Sequence, residues 1–329
     1  MKFNPQYIIF FIIFISLSII YEKIKVDEDK KNSDYYYNMV DKYLINNNNL
    51  GMVKKPMLWI HLHNDDATIP EVNSRSWISF YSRDSKNFNQ PYQYLTIKSI
   101  IDKCSDDFEI AIIDDRSFNK IIPEWKIDFS KIANPIKSHL RLLAMCIVLN
   151  TYGGILVPSS FICFKSLKPL YDSNVNKMFV GDFSNHRSSA NIKNLLMPEP
   201  VIMGCSPNNN TMIQFIKYLE ILNSRDFTAE TDFIGKPNIW LNNEILSGNI
   251  NLINGRLIGN QKECGDIINI EELVGSSFIN LHKQAYGLYI PWNELINRVS
   301  LGWFVRLSPQ QVLESNTVIG KYILINSRI

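Results

Sequence analysis

Three side chains that can bind a ligand through charge or hydrogen bonds lie beside two apolar runs of the sequence. His61 lies within the run MLWIHL (57–62), and Asp114 and Asp115 directly follow the run FEIAII (108–113). Carboxylates and imidazoles at the ends of buried strands are typical of nucleotide or ribose binding. The Asp pair is followed by Arg and Ser, so it also suits a tight turn, and the sequence leaves both interpretations open.

The elements around these residues predict an α/β fold. The segment QYLTIKSIIDK (93–103) separates the two runs and has the apolar spacing of a helix. Strand, helix and strand in this order form a parallel crossover. Because ligands of such sheets bind beyond the carboxyl ends of the strands, we expect the polar residues after both runs to lie at one edge of the sheet. They are His61, His63, Asn64 and Asp65 after the first run, and Asp114, Asp115 and Arg116 after the second.

A helix over 135–149 is the best-defined element of the sequence. We expect Asn134 to cap it, Pro135 to occupy its first position, and the pair Gly153-Gly154 to follow its end. Most of its other residues are apolar, which predicts burial on most sides.

Two polar residues of this helix carry candidate chemistry. Arg141 suits either a phosphate clamp or a buried ion pair. His139 suits either a hydrogen-bonded core position or a catalytic role. The strand after the helix, ILVPSSFICF, contains Pro158, which removes a ladder donor, so we expect this strand to bulge or to lie at an edge of the sheet.

This order of elements resembles the glycosyltransferases of the capsular-polysaccharide-synthesis and sugar-binding-region type. The resemblance covers residues 54–171 and is carried by KKPMLWIHLHN, FEIAIIDD and KSHLRLLAMCIVLNTYGGILVPSSF. It implies the glycosyltransferase-A fold, a Rossmann-like mixed sheet with flanking helices and an acceptor half. It also implies a UDP- or GDP-linked sugar as donor and a glycan or protein as acceptor.

The resemblance assigns roles to residues of this chain. Catalytic roles fall to Arg141 and His139. Nucleotide binding falls to His61, Asp114, Asp115 and Arg141.

Members of this family usually hold Mn²⁺ or Mg²⁺ with an Asp-x-Asp element after the Gly-Gly pair. Those two positions are Pro158 and Ser160 here, and the usual helix Asp is His139. Proline offers no side-chain ligand, and these hard cations prefer carboxylate oxygens. The sequence therefore predicts no metal ligand at this element. The departing diphosphate would then need another source of positive charge. It could come from Arg141 and His139, or from an ion displaced to the pair Asp114 and Asp115.

Two functions follow from these observations. The first is a membrane-anchored glycosyltransferase that works without the usual metal site. The second is a catalytically inactive protein of the same fold with a binding or structural role, for example in a large DNA virus. The intact carboxylates favour the first function; they are Asp114, Asp115, Asp182 and Asp232. The loss of carboxylates at His139, Pro158 and Ser160 favours the second.

Composition excludes other classes of protein. The chain carries 34 Lys and Arg against 32 Asp and Glu, a formal charge of +2, and its basic residues are scattered, so a nucleic-acid partner is not expected. Five widely spaced cysteines provide neither a zinc motif nor a disulfide framework.

The amino terminus predicts a membrane anchor. Residues 7–21, YIIFFIIFISLSIIY, are apolar and uncharged, and no small-residue cleavage site follows them. We expect a cytoplasmic tip and signal-anchor helix over 1–21, a stem over 22–55 and a glycosyltransferase-A-like domain over 56–329.

The side of the membrane stays open. Lys2 precedes the apolar run and four lysines follow it within ten residues, which favours a cytoplasmic or viral location for the domain. The single glycosylation sequon, at Asn209, favours the same side weakly. A transferase of the Golgi or endoplasmic reticulum type would need the lumenal side.

Overall fold

The computed structural model describes residues 15–21, 23–24, 31, 35–36, 38–44, 55–62, 90–183, 198–224 and 230–327. Within these ranges the chain forms a six-stranded mixed sheet flanked by helices, together with a separate two-stranded sheet. The predicted α/β class with a mixed sheet is confirmed.

The strands alternate with helices over most of the described domain. They are β1 (Met57–His61), β2 (Glu109–Ile113), β3 (Gly154–Leu156), β4 (Phe161–Cys163), β5 (Met178–Asp182), β6 (Pro198–Cys205), β7 (Ile250–Ile253) and β8 (Gly287–Tyr289). The large sheet has the order β2-β1-β3-β6-β5-β7, in which β6 is antiparallel and the other strands run parallel to one another. Strands β4 and β8 pair antiparallel in the small sheet.

Helices cover both faces of the large sheet and complete the carboxyl-terminal part. They are α1 (Tyr92–Cys104), α2 (Phe118–Ile121), α3 (Ile136–Tyr152), α4 (Lys168–Asn174), α5 (Asn210–Asn223), α6 (Glu230–Leu246), α7 (Ile270–Val274), α8 (Trp292–Asn297), α9 (Gly302–Val305), α10 (Pro309–Glu314) and α11 (Val318–Ser327). The predicted crossover β1–α1–β2 is confirmed, because β1 and β2 pair in parallel.

A single row of side chains crosses the large sheet at one level and on one face. Its members, in the order of the strands, are Ala111, Trp59, Leu156, Met203, Val180 and Leu252. Helices α3 and α5 pack on this face through residues such as Leu149 and Phe215. Helix α1 packs on the opposite face, where Ile97 and Ile100 meet Leu58 and Ile60. Side chains of a strand point alternately to the two faces, so each strand contributes to both cores.

The Gly-Gly pair ends α3 as predicted and brings β3 against β1. Gly153 has a φ of 68°, and its N–H donates to the carbonyl of Leu149 at 2.8 Å. Gly154 has a φ of 104°, and a Cβ at this position would overlap the carbonyl oxygen of Met57. Trp59 Nε1 donates to the Gly153 carbonyl at 2.9 Å, so the turn is also held from β1.

The start of α3 differs from the expectation. Pro135 is the residue before the helix and Ile136 is its first residue. The Asn134 side chain does not cap a backbone N–H; its Oδ1 accepts a hydrogen bond from Ser138 Oγ at 3.0 Å. The predicted cap was therefore wrong, because the Asn134 amide reaches a hydroxyl one turn into the helix instead.

Pro158 lies two residues beyond the end of β3, in the segment that leads to β4. The segment predicted as one interrupted strand is two strands, β3 and β4, which belong to different sheets. A turn joins them, and within it the N–H of Phe161 donates to the Pro158 carbonyl at 3.2 Å. Strand β3 lies between β1 and β6 and β4 lies in the two-stranded sheet, so the expectation of one strand through Pro158, bulged or at an edge, was wrong.

Part of the predicted stem packs on the domain. Val40 is buried in the core on the α1 face, Tyr36 contacts Tyr94 with ring centroids 5.8 Å apart, and Leu44 forms a parallel bridge with Ile112. Residues 1–14, which hold much of the predicted anchor, lie outside the described residues. Among the helices that are described, none combines the length and the apolar character needed to cross a membrane.

Gly154 offers a direct test of the β1–β3 junction. Replacing Gly154 by Ala should lower the free energy of unfolding by about 2–4 kcal/mol, because the added methyl group meets the Met57 carbonyl at a backbone conformation that disfavours L residues. Urea denaturation followed by circular dichroism measures this change. Gly235→Ala in α6 is the matched control, since nothing lies within 4 Å of its Cβ position, and it should leave stability unchanged or raise it. Equal effects of the two substitutions would contradict the described junction.

Candidate functional site

The carboxyl ends of the parallel strands meet at one edge of the large sheet, called the carboxyl edge below. His61 ends β1 and Asp182 ends β5, each two residues beyond the row that contains Trp59 and Val180. Pro158 likewise lies two residues beyond Leu156 of β3, which belongs to the same row. The pairing of β5 with β6 shifts register after Val180, but its pairing with β7 stays regular as far as Gly181. Because strand side chains alternate, His61 and Asp182 therefore lie on the face covered by α3 and α5.

A buried ion pair joins β2 to α3 at the carboxyl edge. Arg141 donates through Nε to Asp115 Oδ1 at 2.8 Å and through Nη2 to Asp115 Oδ2 at 2.6 Å. The side chains are 4% and 14% exposed, respectively. This two-point geometry is the strongest form of the arginine–carboxylate contact. Of the two predicted roles for Arg141, the geometry favours the buried ion pair.

His61 completes this cluster. Its Nε2 lies 3.2 Å from Asp115 Oδ1, and its ring stacks on Phe118 with centroids 5.2 Å apart. The structure therefore brings together three predicted site residues, His61, Asp115 and Arg141. The sequence placed His61 and Asp115 at one edge of the sheet, but it gave no sign that Arg141 would bind Asp115. His63, Asn64 and Asp65 lie outside the described residues.

The cluster keeps Asp115 ionised. Burial alone raises the pKa of this carboxyl, but hydrogen bonds and opposite charge from His61 and Arg141 outweigh burial and hold the pKa well below its ordinary value. The positive charge of Arg141 is correspondingly neutralised within the protein. A phosphate at this position would have to compete with Asp115 for the guanidinium.

Asp114 has a local structural role. Its Oδ1 accepts hydrogen bonds from the Ser117 N–H at 2.9 Å and from the Ser117 hydroxyl at 2.7 Å. These contacts form the turn that leads from β2 into α2. The geometry thus favours the turn, the alternative that the sequence left open for this residue.

His139 is buried on α3, and burial lowers its pKa to about 4. The imidazole is therefore neutral at pH 7 and adds no positive charge to a bound diphosphate. The geometry favours a core position over the charged role that the resemblance implied.

The positions of the usual metal-binding element do not fit a metal ion. Ser160 is fully buried, and its hydroxyl donates to the Ile290 carbonyl at 2.8 Å, which ties the turn to the end of β8. Ser159 donates to Gln93 Oε1 at 3.0 Å. Together with Pro158, these residues offer no carboxylate oxygen, so the Mn²⁺ or Mg²⁺ implied by the resemblance has no ligands here. Among the described residues, no group of three or more His, Cys, Asp or Glu side chains could hold a metal ion.

Asp182 is one of the acidic residues that favoured an active transferase, but no motif of the sequence gave it a role. Its side chain is 2% exposed, and Oδ2 accepts a hydrogen bond from Gln261 Nε2 at 3.3 Å. Its other oxygen, Oδ1, is buried and accepts no hydrogen bond from any residue that the structure describes. Burial raises the pKa of this carboxyl to about 6, despite hydrogen bonds from Gly255 and Gln261 that lower it. The strand-end position was readable from the sequence, whereas burial against the loop after β7 was not.

Arg116 supplies an uncommitted positive charge beside the carboxyl edge. It follows the Asp pair after β2 and is exposed. Unlike Arg141, it forms no ion pair with the described part of the chain. The two arginines thus differ in what they can offer a ligand, although the sequence alone did not separate them.

Comparison of the chain with protein-family models, with curated proteins and with solved structures finds no match.

Asp115→Asn tests the ion pair. The variant leaves the Arg141 guanidinium buried without its counter-charge, so the free energy of unfolding should fall by about 3–5 kcal/mol. Arg141→Met added to Asp115→Asn should recover part of this loss, because the uncompensated charge is then removed. Urea denaturation of the single and double variants measures both effects.

Asp172 provides the control for that experiment. It forms an exposed ion pair with Lys168 one turn away on α4, so Asp172→Asn should cost less than about 1 kcal/mol. A loss at Asp115 as small as the loss at Asp172 would be inconsistent with a buried two-point contact.

The stability of the protein should depend on the ionisation of Asp182. The folded-state pKa of about 6 lies above the unfolded value of 3.8, so the protonated carboxyl contributes stability that is complete below pH 3.8 and is lost as the pH rises through 6. Asp182→Asn should therefore be more stable than wild type at pH 7.5, by up to about 3 kcal/mol, and equal to it near pH 4. Thermal unfolding of both proteins between pH 4 and 8 measures this difference. A variant that is less stable than wild type at pH 7.5 would contradict the raised pKa.

Proposed function

We propose that the chain is a glycosyltransferase-like protein of the glycosyltransferase-A type that binds a nucleotide-linked sugar at the carboxyl edge without a divalent cation. The donor is UDP- or GDP-linked, and a glycan or protein is the acceptor if the sugar is transferred. The apolar run 7–21 favours attachment of the protein to a membrane.

One observation carries this proposal. The turn Gly153-Gly154 inserts β3 directly beside β1 in a mixed sheet, and the following turn delivers Pro158 and Ser160 to the carboxyl edge. These are the positions at which the resemblance expects the donor-binding element. Ligands of open α/β sheets bind beyond this edge, at points where neighbouring connections leave in different directions.

The positive charge available to a diphosphate favours Arg116 as its contact. A guanidinium matches phosphate oxygens with two parallel donors, and Arg116 is exposed at the end of β2. Arg141 is held by Asp115 on two donors. In this proposal Arg141 and Asp115 position the edge, and Arg116 contacts the ligand.

A second candidate function is binding without turnover. The fully buried Ser160 hydroxyl and the neutral imidazole of His139 favour it, because neither group can stabilise the negative charge of a departing diphosphate. Release of free nucleoside diphosphate from a nucleotide sugar distinguishes the two functions. Release above the spontaneous rate supports transfer or hydrolysis, whereas binding without release supports the second candidate.

Thermal shift of the full-length chain in detergent tests the proposal. The ligands are UDP, GDP and their sugar conjugates, each with Mn²⁺ and with EDTA. A ligand at 100 times its dissociation constant should stabilise the fold by about 2.7 kcal/mol, and equally in EDTA, because no metal ligands are present at the usual element. Arg116→Ala should weaken binding by about tenfold or more, since it removes charged hydrogen bonds to phosphate.

Lys217→Ala is the matched control, because this exposed lysine lies on α5 and its loss should leave binding unchanged. Stabilisation that requires Mn²⁺ would contradict the metal-free part of the proposal. The absence of stabilisation by every nucleotide and nucleotide sugar would reject nucleotide-sugar binding altogether.

A further inference from the structure

Asp182 presents an unused hydrogen-bond acceptor at the carboxyl edge. We infer that its free carboxylate oxygen binds a hydroxyl group on the sugar of the nucleotide-linked ligand and so helps to select that sugar. This inference rests on the proposed function and adds to it the group that recognises the sugar.

The position of Asp182 separates it from the proposed nucleotide contacts. Asp182 lies on the same face of the sheet as His61 and at the same distance beyond the common row of side chains. Three strand intervals separate β5 from β1, which corresponds to about 14 Å at the usual spacing. Pro158 and Ser159 follow β3, which lies between them. Asp182 therefore lies at the opposite end of the edge from the nucleotide contacts proposed at β1 and β2.

The two carboxylate oxygens of Asp182 have unequal environments. Oδ2 accepts a hydrogen bond from Gln261 Nε2 at 3.3 Å, whereas Oδ1 is buried and accepts none. An unsatisfied acceptor in the interior is costly, and native proteins contain few of them. A carboxylate also has more acceptor capacity than the Gln261 amide and the Gly255 N–H can fill. A donor supplied by a ligand would remove this cost.

The protein holds the carboxyl group of Asp182 in place. The Asp182 carbonyl accepts a hydrogen bond from Asn260 Nδ2 at 3.2 Å. The N–H of Asn260 in turn donates to the Gly255 carbonyl at 2.9 Å. Asp182 is thus attached on both its backbone and its side chain to the loop that follows β7. A side chain held in this way loses little entropy when a ligand binds.

The chemistry of a carboxylate limits which group of a ligand Asp182 can bind. A carboxylate accepts hydrogen bonds and repels phosphate, so Asp182 is unsuited to the diphosphate that Arg116 would contact. The hydroxyl groups of a sugar are donors, and a site that hydrogen-bonds a substrate hydroxyl strongly rejects the analogue that lacks it. The class of ligand group that fits Asp182 is therefore a sugar hydroxyl.

Ligand-dependent thermal shift of the full-length chain in EDTA tests this inference. Wild type and Asp182→Asn are titrated with UDP, UDP-glucose, GDP and GDP-mannose, and with the deoxy analogues of the sugar conjugate that binds. Wild type should bind the sugar conjugate more tightly than the nucleotide and lose about tenfold in affinity when one hydroxyl is removed. Asp182→Asn should bind the nucleotide as wild type does, bind the conjugate about tenfold more weakly, and no longer discriminate against that deoxy analogue.

Two further variants make the result decisive. Asp182→Leu keeps the branched shape of the side chain without any acceptor, so it should behave as Asp182→Asn and show that an amide oxygen has not replaced the carboxylate. Asp172→Asn removes a carboxylate from α4, at the exposed ion pair with Lys168, and should bind every ligand as wild type does.

The outcomes separate the two proposals. Binding of the conjugate with equal affinity by wild type, Asp182→Asn and Asp182→Leu would overturn the role of Asp182 and leave the proposed function intact. Equal binding of nucleotide and conjugate by wild type would do the same. Failure of wild type to bind any of these ligands would reject the proposed function and the role of Asp182 together.

Discussion

The two-point ion pair between Asp115 and Arg141 is the interaction on which the carboxyl edge depends. It joins the end of β2 to the first half of α3, and His61 on β1 contacts the same carboxylate. Three elements that are distant in the sequence thereby share one buried charge centre. Breaking such a centre leaves an uncompensated charge in the interior, so its members resist separate replacement.

This centre also limits the chemistry of the edge. Arg141 is neutralised by Asp115, His139 is neutral because it is buried, and the Ser160 hydroxyl is held by the Ile290 carbonyl. These groups stabilise the fold. The groups that remain for a ligand are different in kind: an exposed arginine after β2 and a buried carboxyl oxygen at the end of β5. In the proposed function, Arg116 at one end of the carboxyl edge contacts the diphosphate, and the Asp182 oxygen at the other end contacts the sugar.

Much of the domain's first half was predictable because its signals are local. The apolar run at β1, the helical spacing of α1 and the Gly-Gly pair after α3 each indicated the element that is present. The Asn134 cap and the single strand through Pro158 were predicted wrongly. Local rules predict which contacts a residue can make. The surrounding fold determines which partner it meets, such as Ser138 for Asn134 and the small sheet for β4.

The sequence by itself determined the α/β class, the parallel crossover and the absence of carboxylates at Pro158 and Ser160, because periodicity and residue type need no tertiary information. Only the tertiary structure decided how Arg141 and Arg116 differ, since one meets Asp115 across 26 residues of chain and the other faces solvent. It also decided the state of Asp182. The pKa and the free oxygen of that carboxyl depend on burial against a loop that follows β7, and burial is a property of the packed chain.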